Sequence, residues 1–127
     1  EAVSDRLDSL CLAYSIPGKP FLSYRITQIY HTGVCIYYTL GLYMKGVKNP
    51  ARVLGEVEHE LRRCILDSGG SLSHHHGIGK IRARFLTSEV STPARRAVGG
   101  IKQGVDPDNI FCIGNNVFID GPNPVEK

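Results

Sequence analysis

Between Leu22 and Met44 the sequence changes character at almost every residue, and that period of two dictates a β-hairpin before anything else about the chain is decided. Leu22, Tyr24, Ile26 and Tyr30 fall on even positions, with Ser23, Arg25 and Thr27 between them. After His31-Thr32-Gly33 the alternation resumes, with Val34, Ile36, Tyr38, Leu40, Leu42 and Met44 on one face and Cys35, Tyr37, Thr39 and Tyr43 on the other. Successive side chains of a strand point to opposite faces, so the first set predicts a core face. The second set faces something more polar.

Helices flank this hairpin. Val3, Leu7, Leu10 and Tyr14 recur at helical spacing and predict an amphipathic helix over 1–13, ended by Ile16-Pro17-Gly18. Asn49 as cap and Pro50 as opening residue predict a second helix, with Val53, Val57, Leu61, Cys64 and Ile65 as its buried stripe. Asp67-Ser68-Gly69-Gly70 stops it, and 71–76 then reads as a third strand. Helix, strand, strand, helix, strand is most of a ferredoxin-like split βαβ pattern, with a missing first strand expected to precede Glu1. The expected fold class is therefore α+β, an antiparallel sheet with helices on one face followed by a helical C-terminal tail. That tail should hold a helix over 81–90, a second restarted at Thr92-Pro93 toward Val105, and a turn at Asp106-Pro107-Asp108-Asn109. The Gly-, Asn- and Pro-rich ending is expected to lean on another surface and its last ten or so residues to fray.

At 127 residues and 42% hydrophobic the chain can bury a core of ordinary domain size. It carries no apolar run long enough to span a membrane and is expected to be a soluble piece of a larger protein. The net charge of +3 is mild, and basic residues alternate with acidic ones from Arg52 to Arg63, so no nucleic-acid partner is expected. Cys11, Cys35, Cys64 and Cys112 form no CxxC pair, which disfavours a zinc knuckle or a redox dithiol and predicts reduced thiols.

The chemistry concentrates in "GGSLSHHHGIGK", Gly69 to Lys80. A Walker A loop fails here, because His74 stands where the first glycine would be and Ile81 where the hydroxyl residue would be. On a strand His74 and His76 would share a face with Leu72 while His75 points away, and three adjacent histidines do not readily share one tetrahedral ion. No metal site is expected, and an internal run is not a purification tag. A polar strand end is the plain reading. Gly77 and Gly79 favour another, since they let the backbone approach a ligand, and imidazoles beside such a turn suit acid/base chemistry or anion binding near neutral pH. Tyr37 is the second candidate, a phenol on the polar face able to exchange a proton; its plain reading is a tyrosine packed in a sheet, as Tyr38 should be.

Three segments, "RITQIYHTGVCIYYTLGLY", "GGSLSHHHGIGK" and "VDPDNIF", resemble the alkyldihydroxyacetonephosphate synthase family, over about residues 20–111. The triple-histidine form is specific to it; the glycine frame is shared more widely. These are flavoproteins of the vanillyl-alcohol-oxidase fold. The resemblance implies that 1–76 is part of a cap (substrate) domain and that 77–127 returns to an FAD-binding domain absent from this chain. It implies an exchange reaction in which the acyl group of acyl-dihydroxyacetone phosphate is replaced by a long-chain fatty alcohol, giving the ether-lipid precursor. FAD takes part without net redox. By this alignment Tyr37 corresponds to the proton donor and acceptor, and His74, His75 and His76 to histidines needed for activity, with His75, His76 and Gly77 at the cofactor. The family's substrate arginines lie upstream, so neither Arg25 nor Lys80 inherits their role. A peroxisomal setting, a homodimeric full-length enzyme and peripheral membrane association are further implications, and the isolated 127 residues should be inactive.

Two other classes compete. Flavin-dependent 2-hydroxyacid dehydrogenases of the same superfamily carry a glycine-framed "EHG" motif, but here His75 stands where their glutamate would be, which favours proton exchange over oxidation. A non-enzymatic interaction module is the other. The ending "FCIGNNVFIDGPNPVEK" and the stretch 51–65 depart from the family pattern.

Overall fold

The structure, a computed structural model, describes residues 1–115. The readings of the final tail lie outside the described residues. The chain divides into two compact units, Glu1–Gly70 and the unit that begins at Ser71. The α+β expectation is borne out.

The first unit holds α1 (Ala2–Ala13), β1 (Phe21–Ile29), β2 (Val34–Gly41) and α2 (Pro50–Asp67). Helix α1 stops where Ser15 takes a positive φ of 51° and the Ile16 N–H donates to the Cys11 carbonyl at 2.9 Å, just ahead of Pro17. Pro50 opens α2 as expected. Asn49 does not cap it in the expected way, because its left-handed backbone (φ 54°) leaves its side chain without a capping hydrogen bond. At the other end Gly69 (φ 80°) reverses the chain, and the Gly70 N–H donates to the Ile65 carbonyl at 2.9 Å. A Cβ on Gly70 would sit 2.6 Å from Ile65 Cγ2, so the stop predicted from the glycine pair has a steric basis.

The two helices face each other across Leu7, Leu10, Cys11, Ile16, Val53, Val57 and Leu61, with Leu7 and Val57 excluded from solvent almost completely. Burying each such side chain contributes about 1.5–3 kcal/mol. At the rim, Tyr14 Oη donates to Glu56 Oε2 at 2.5 Å, and Arg6 pairs with Glu60. The hydrogen bond to Glu56 raises the Tyr14 phenol above its ordinary pKa and, from the other side, holds the Glu56 carboxyl below its own.

The hairpin docks on this core through its root. Leu22, Leu40, Leu42 and Met44 pack against the helix cluster, which is the expected even face. Farther out the expectation fails. Tyr24, Ile26, Val34, Ile36 and Tyr38 are exposed, because the strands run on past the side chains that cover their root. Tyr38 is therefore no core residue; it tilts against its cross-strand partner Tyr24, ring centroids 6.1 Å apart. The parity also changes along the strand. Arg25 pairs with Tyr37 and Ile26 with Ile36, then Thr27 is skipped and Gln28 pairs with Cys35 and Ile29 with Val34. This β-bulge puts Ile29, not Tyr30, on the apolar face, and the Thr27 hydroxyl donates to the Cys35 carbonyl at 3.4 Å. Cys35, assigned to the polar set, is buried.

In the second unit, the expected third strand over 71–76 is not formed; this segment is a chain of bends. The helix expected over 81–90 is broken into α3 (Gly79–Arg82), a 3-10 turn (Ala83–Phe85) and α4 (Leu86–Glu89). Ala83, Phe85 and Leu86 are its buried residues. Helix α5 (Thr92–Val105) forms as expected, capped by the Ser91 hydroxyl, which accepts from the Ala94 N–H at 3.4 Å. The predicted turn after it is organised by Asp106, whose buried carboxylate accepts from the Ile110 and Phe111 N–H groups, both at 2.9 Å, and pairs with Lys102.

Two outcomes follow from this packing. Leu7→Ala should cost about 2–5 kcal/mol in chemical denaturation, whereas Leu12→Ala on the exposed face of α1 should stay within about 0.5 kcal/mol. The Asp106 carboxyl is held below its ordinary pKa, first by Lys102 and then by the two backbone N–H groups. A depressed folded pKa gives stability that is present above the unfolded value, near 4, and is lost as pH falls through the folded one. Asp106→Asn should therefore lower the melting temperature at neutral pH and flatten its decline on the acid side, measured from pH 7 to 2.

Candidate functional site

Ser71 to Gly77 has no ladder to satisfy its backbone, and serines substitute for one. The Ser73 hydroxyl accepts from the His76 N–H at 3.1 Å and donates to the His76 carbonyl at 2.7 Å, and the Ser71 hydroxyl donates to the Ser73 carbonyl at 3.2 Å. Local side-chain bonds of this kind compete with strand formation. The Leu72 N–H donates to Glu89 Oε1 at 2.6 Å, and Arg82 Nη1 donates to the Gly77 carbonyl at 3.0 Å. Both ends of the triplet are thereby tied to the short helices that follow it.

Inside this frame the three imidazoles gather side by side instead of alternating as on a strand. The His74 and His75 ring centroids lie 5.1 Å apart and those of His75 and His76 4.2 Å, both pairs edge-on. His74 Nδ1 and His75 Nδ1 are 2.9 Å apart, so one of these nitrogens carries the proton that the other accepts. Such a group can pass a proton, donate to anionic or carbonyl oxygens and stack on a flat ring. Among the described residues no cluster of histidines, cysteines or carboxylates has the arrangement of a metal site, and all four cysteines are free thiols. Gly77 has open space around the position a Cβ would take, so nothing inside this unit demands its smallness. Imidazole N–H groups beside an open glycine backbone are donors of the kind that the ring oxygens of a flavin would accept from.

Tyr37 lies in the first unit, half-buried on β2, on the face opposite Tyr38. Its cross-strand partner Arg25 brings its guanidinium carbon 5.4 Å from the phenol centroid. The sequence reading did not single out this contact, although the pairing follows once the hairpin register is known. Nor did it single out Ser73, whose spacing of three to His76 was the available signal. A shallow groove lined by Arg6, Glu60, Arg63, Cys64, Asp67 and Ser68 holds none of the candidate residues.

A family model described as the C-terminal domain of FAD linked oxidases matches residues 1–115, and the chain belongs to that family. FAD is the family's cofactor, as the motifs led one to expect. More particularly, the chain is similar to the alkyldihydroxyacetonephosphate synthase of Caenorhabditis elegans, 38% identical over 97 residues, covering 76% of this chain and 16% of that protein. The synthase of Dictyostelium discoideum is 29% identical over 67% of the chain and 14% of its own length, and that of Trypanosoma brucei brucei 27% over 64% and 13%. The resemblance read from the three motifs is thus borne out. The chain spans about a sixth or less of the length of these curated relatives.

The loop geometry carries its own test. Ser73→Ala should leave the hydrophobic core intact and speed amide exchange at His76 by about threefold to tenfold, the worth of one lost hydrogen bond, as read by hydrogen–deuterium exchange.

Proposed function

We propose that this chain is part of an enzyme that exchanges the acyl group of acyl-dihydroxyacetone phosphate for a long-chain fatty alcohol. The observation that carries this reading is the similarity to synthases of that name in three organisms, which covers 64–76% of the chain. In this reading 1–76 serves the substrate side as part of a cap, and 77–127 returns toward a flavin domain. His75, His76 and Gly77 hold the cofactor, and FAD, when bound, supplies an electron-accepting ring that ends the cycle in the oxidation state in which it began.

The chain's own residues supply proton transfer and positioning. Exchange at a carbon next to a carbonyl needs a base that removes a proton and later returns it, and Tyr37 is that group. The three imidazoles orient oxygen atoms through their N–H groups and provide a path for the proton. A carboxylate of the kind that serves hydride abstraction in the dehydrogenases is replaced here by His75, which favours exchange over oxidation. The half-buried setting of Tyr37 limits water, whose attack would give hydrolysis. A peroxisomal setting, a homodimer and peripheral membrane contact belong to the same proposal and rest on the family resemblance alone.

The full-length protein containing this chain should form ether product from acyl-dihydroxyacetone phosphate and a labelled long-chain alcohol. Tyr37→Phe and His76→Ala should each lower that rate by about a hundredfold to ten-thousandfold while FAD stays bound. Absence of ether product, with flavin reduction by a 2-hydroxyacid, would overturn the reading in favour of the dehydrogenases.

A further inference from the structure

Resting on the reading above, we propose that Arg25, in addition to the substrate arginines that the resemblance puts upstream and not in their place, is an anion-recognising residue beside Tyr37, taking an anionic oxygen of the substrate: its phosphate, or the carboxylate that departs. Three observations converge on it. First, the register puts Ser23 opposite Thr39, Arg25 opposite Tyr37 and, after the bulge, Gln28 opposite Cys35, all on one face. That face offers hydroxyl, amide and guanidinium donors and no carboxylate, whereas the reverse face over the same length is Tyr24, Ile26, Ile29, Val34, Ile36 and Tyr38. Second, no carboxylate among the described residues forms an ion pair with Arg25, although the other unit-one pairs of Arg6, Arg52 and Arg62 show that glutamates are available to arginines on the helices. Third, the guanidinium is held 5.4 Å from the Tyr37 ring centroid.

These facts define a function that a simple hairpin stabiliser would not need. An arginine held by a ring face keeps a fork of N–H donors for another partner, and that fork matches the paired oxygens of a phosphate or carboxylate. Its place next to the group assigned to proton transfer sets the anion at a fixed distance from the reacting carbon. Lysine cannot reproduce this arrangement, because a point charge neither stacks nor binds in two-pronged fashion. Arg25 is thus a specificity residue that selects anionic substrates.

The test uses the full-length FAD-loaded protein and calorimetric titration with two probes, dihydroxyacetone phosphate and palmitate. Arg25→Gln should weaken one of them by about tenfold or more, the worth of a charged hydrogen-bonded contact, and leave the other unchanged. Loss for dihydroxyacetone phosphate assigns Arg25 to the phosphate, and loss for palmitate assigns it to the carboxylate. Arg25→Lys should fall between wild type and Arg25→Gln, and Arg52→Gln, which removes a charge paired to Glu56 on α2, should match wild type. Unchanged affinity for both probes in Arg25→Gln would overturn the inference. So would a variant that loses FAD or thermal stability with its probe affinities intact, since that marks a residue that only supports the hairpin; if Arg25→Gln fails to fold, Arg25→Lys decides by the same criteria. Failure of the enzyme reading shows separately, as wild-type protein that binds a probe yet makes no ether product.

Discussion

The seating of α1 on α2 around Leu7 and Val57 governs the first unit. These side chains leave water almost completely, and the apolar cluster they anchor reaches from Ile16 to Leu61. The ion pairs at the rim, Arg6 with Glu60 and Arg52 with Glu56, remain open to solvent, where such pairs contribute about 0–1 kcal/mol. Apolar burial therefore sets the relation of the helices, and the ion pairs adorn it. The hairpin depends on the same cluster through only four residues at its root, so the place of Tyr37 is fixed by packing some residues away from it.

The second unit is stabilised by a different economy of forces. Among its described residues few are buried, Ala83, Phe85, Leu86 and Asp106, and its irregular stretches are held by polar side chains that take the place of backbone partners. Ser73 organises the triplet, Arg82 and Glu89 fasten its ends, and Asp106 closes the turn after α5. Directional bonds specify position closely while adding little net stability. That is the combination suited to presenting three imidazoles in a fixed order.

How far all this could be read from the residues depends on which force prevailed at each place. Where apolar periodicity decides, as with Leu7 and Leu10 in α1, Val53, Val57 and Leu61 in α2, and Leu22 and Leu40 at the hairpin root, the elements form where the pattern puts them. The bulge at Thr27 has no signature in the alternation, since an extra residue is visible only against the partner strand. The stretch 71–76 misled because glycine brackets and an alternating Ser-Leu-Ser opening suit a strand, while short hydroxyl side chains that bond their own backbone suit a bend. Tyr37 and the histidines stood out as chemistry-bearing residue types, and the triplet's motif gave the family. Arg25 did not, because its meaning lies in a cross-strand neighbour that only register supplies.

The bulge at Thr27 has an implication for how this hairpin can change. One unpaired residue shifts the phase of β1 by half a period, so the strand behaves as two segments under different rules. On the root side an even position must be apolar to meet the helices; beyond Thr27 it is odd positions that share that face. A substitution pattern learned at one end would be misapplied at the other. Loss of that single residue would leave Gln28 opposite Cys35 and Ile29 opposite Val34 in plain alternation, so the tip would keep its two faces and lose only the local bend and twist that the extra residue imposes.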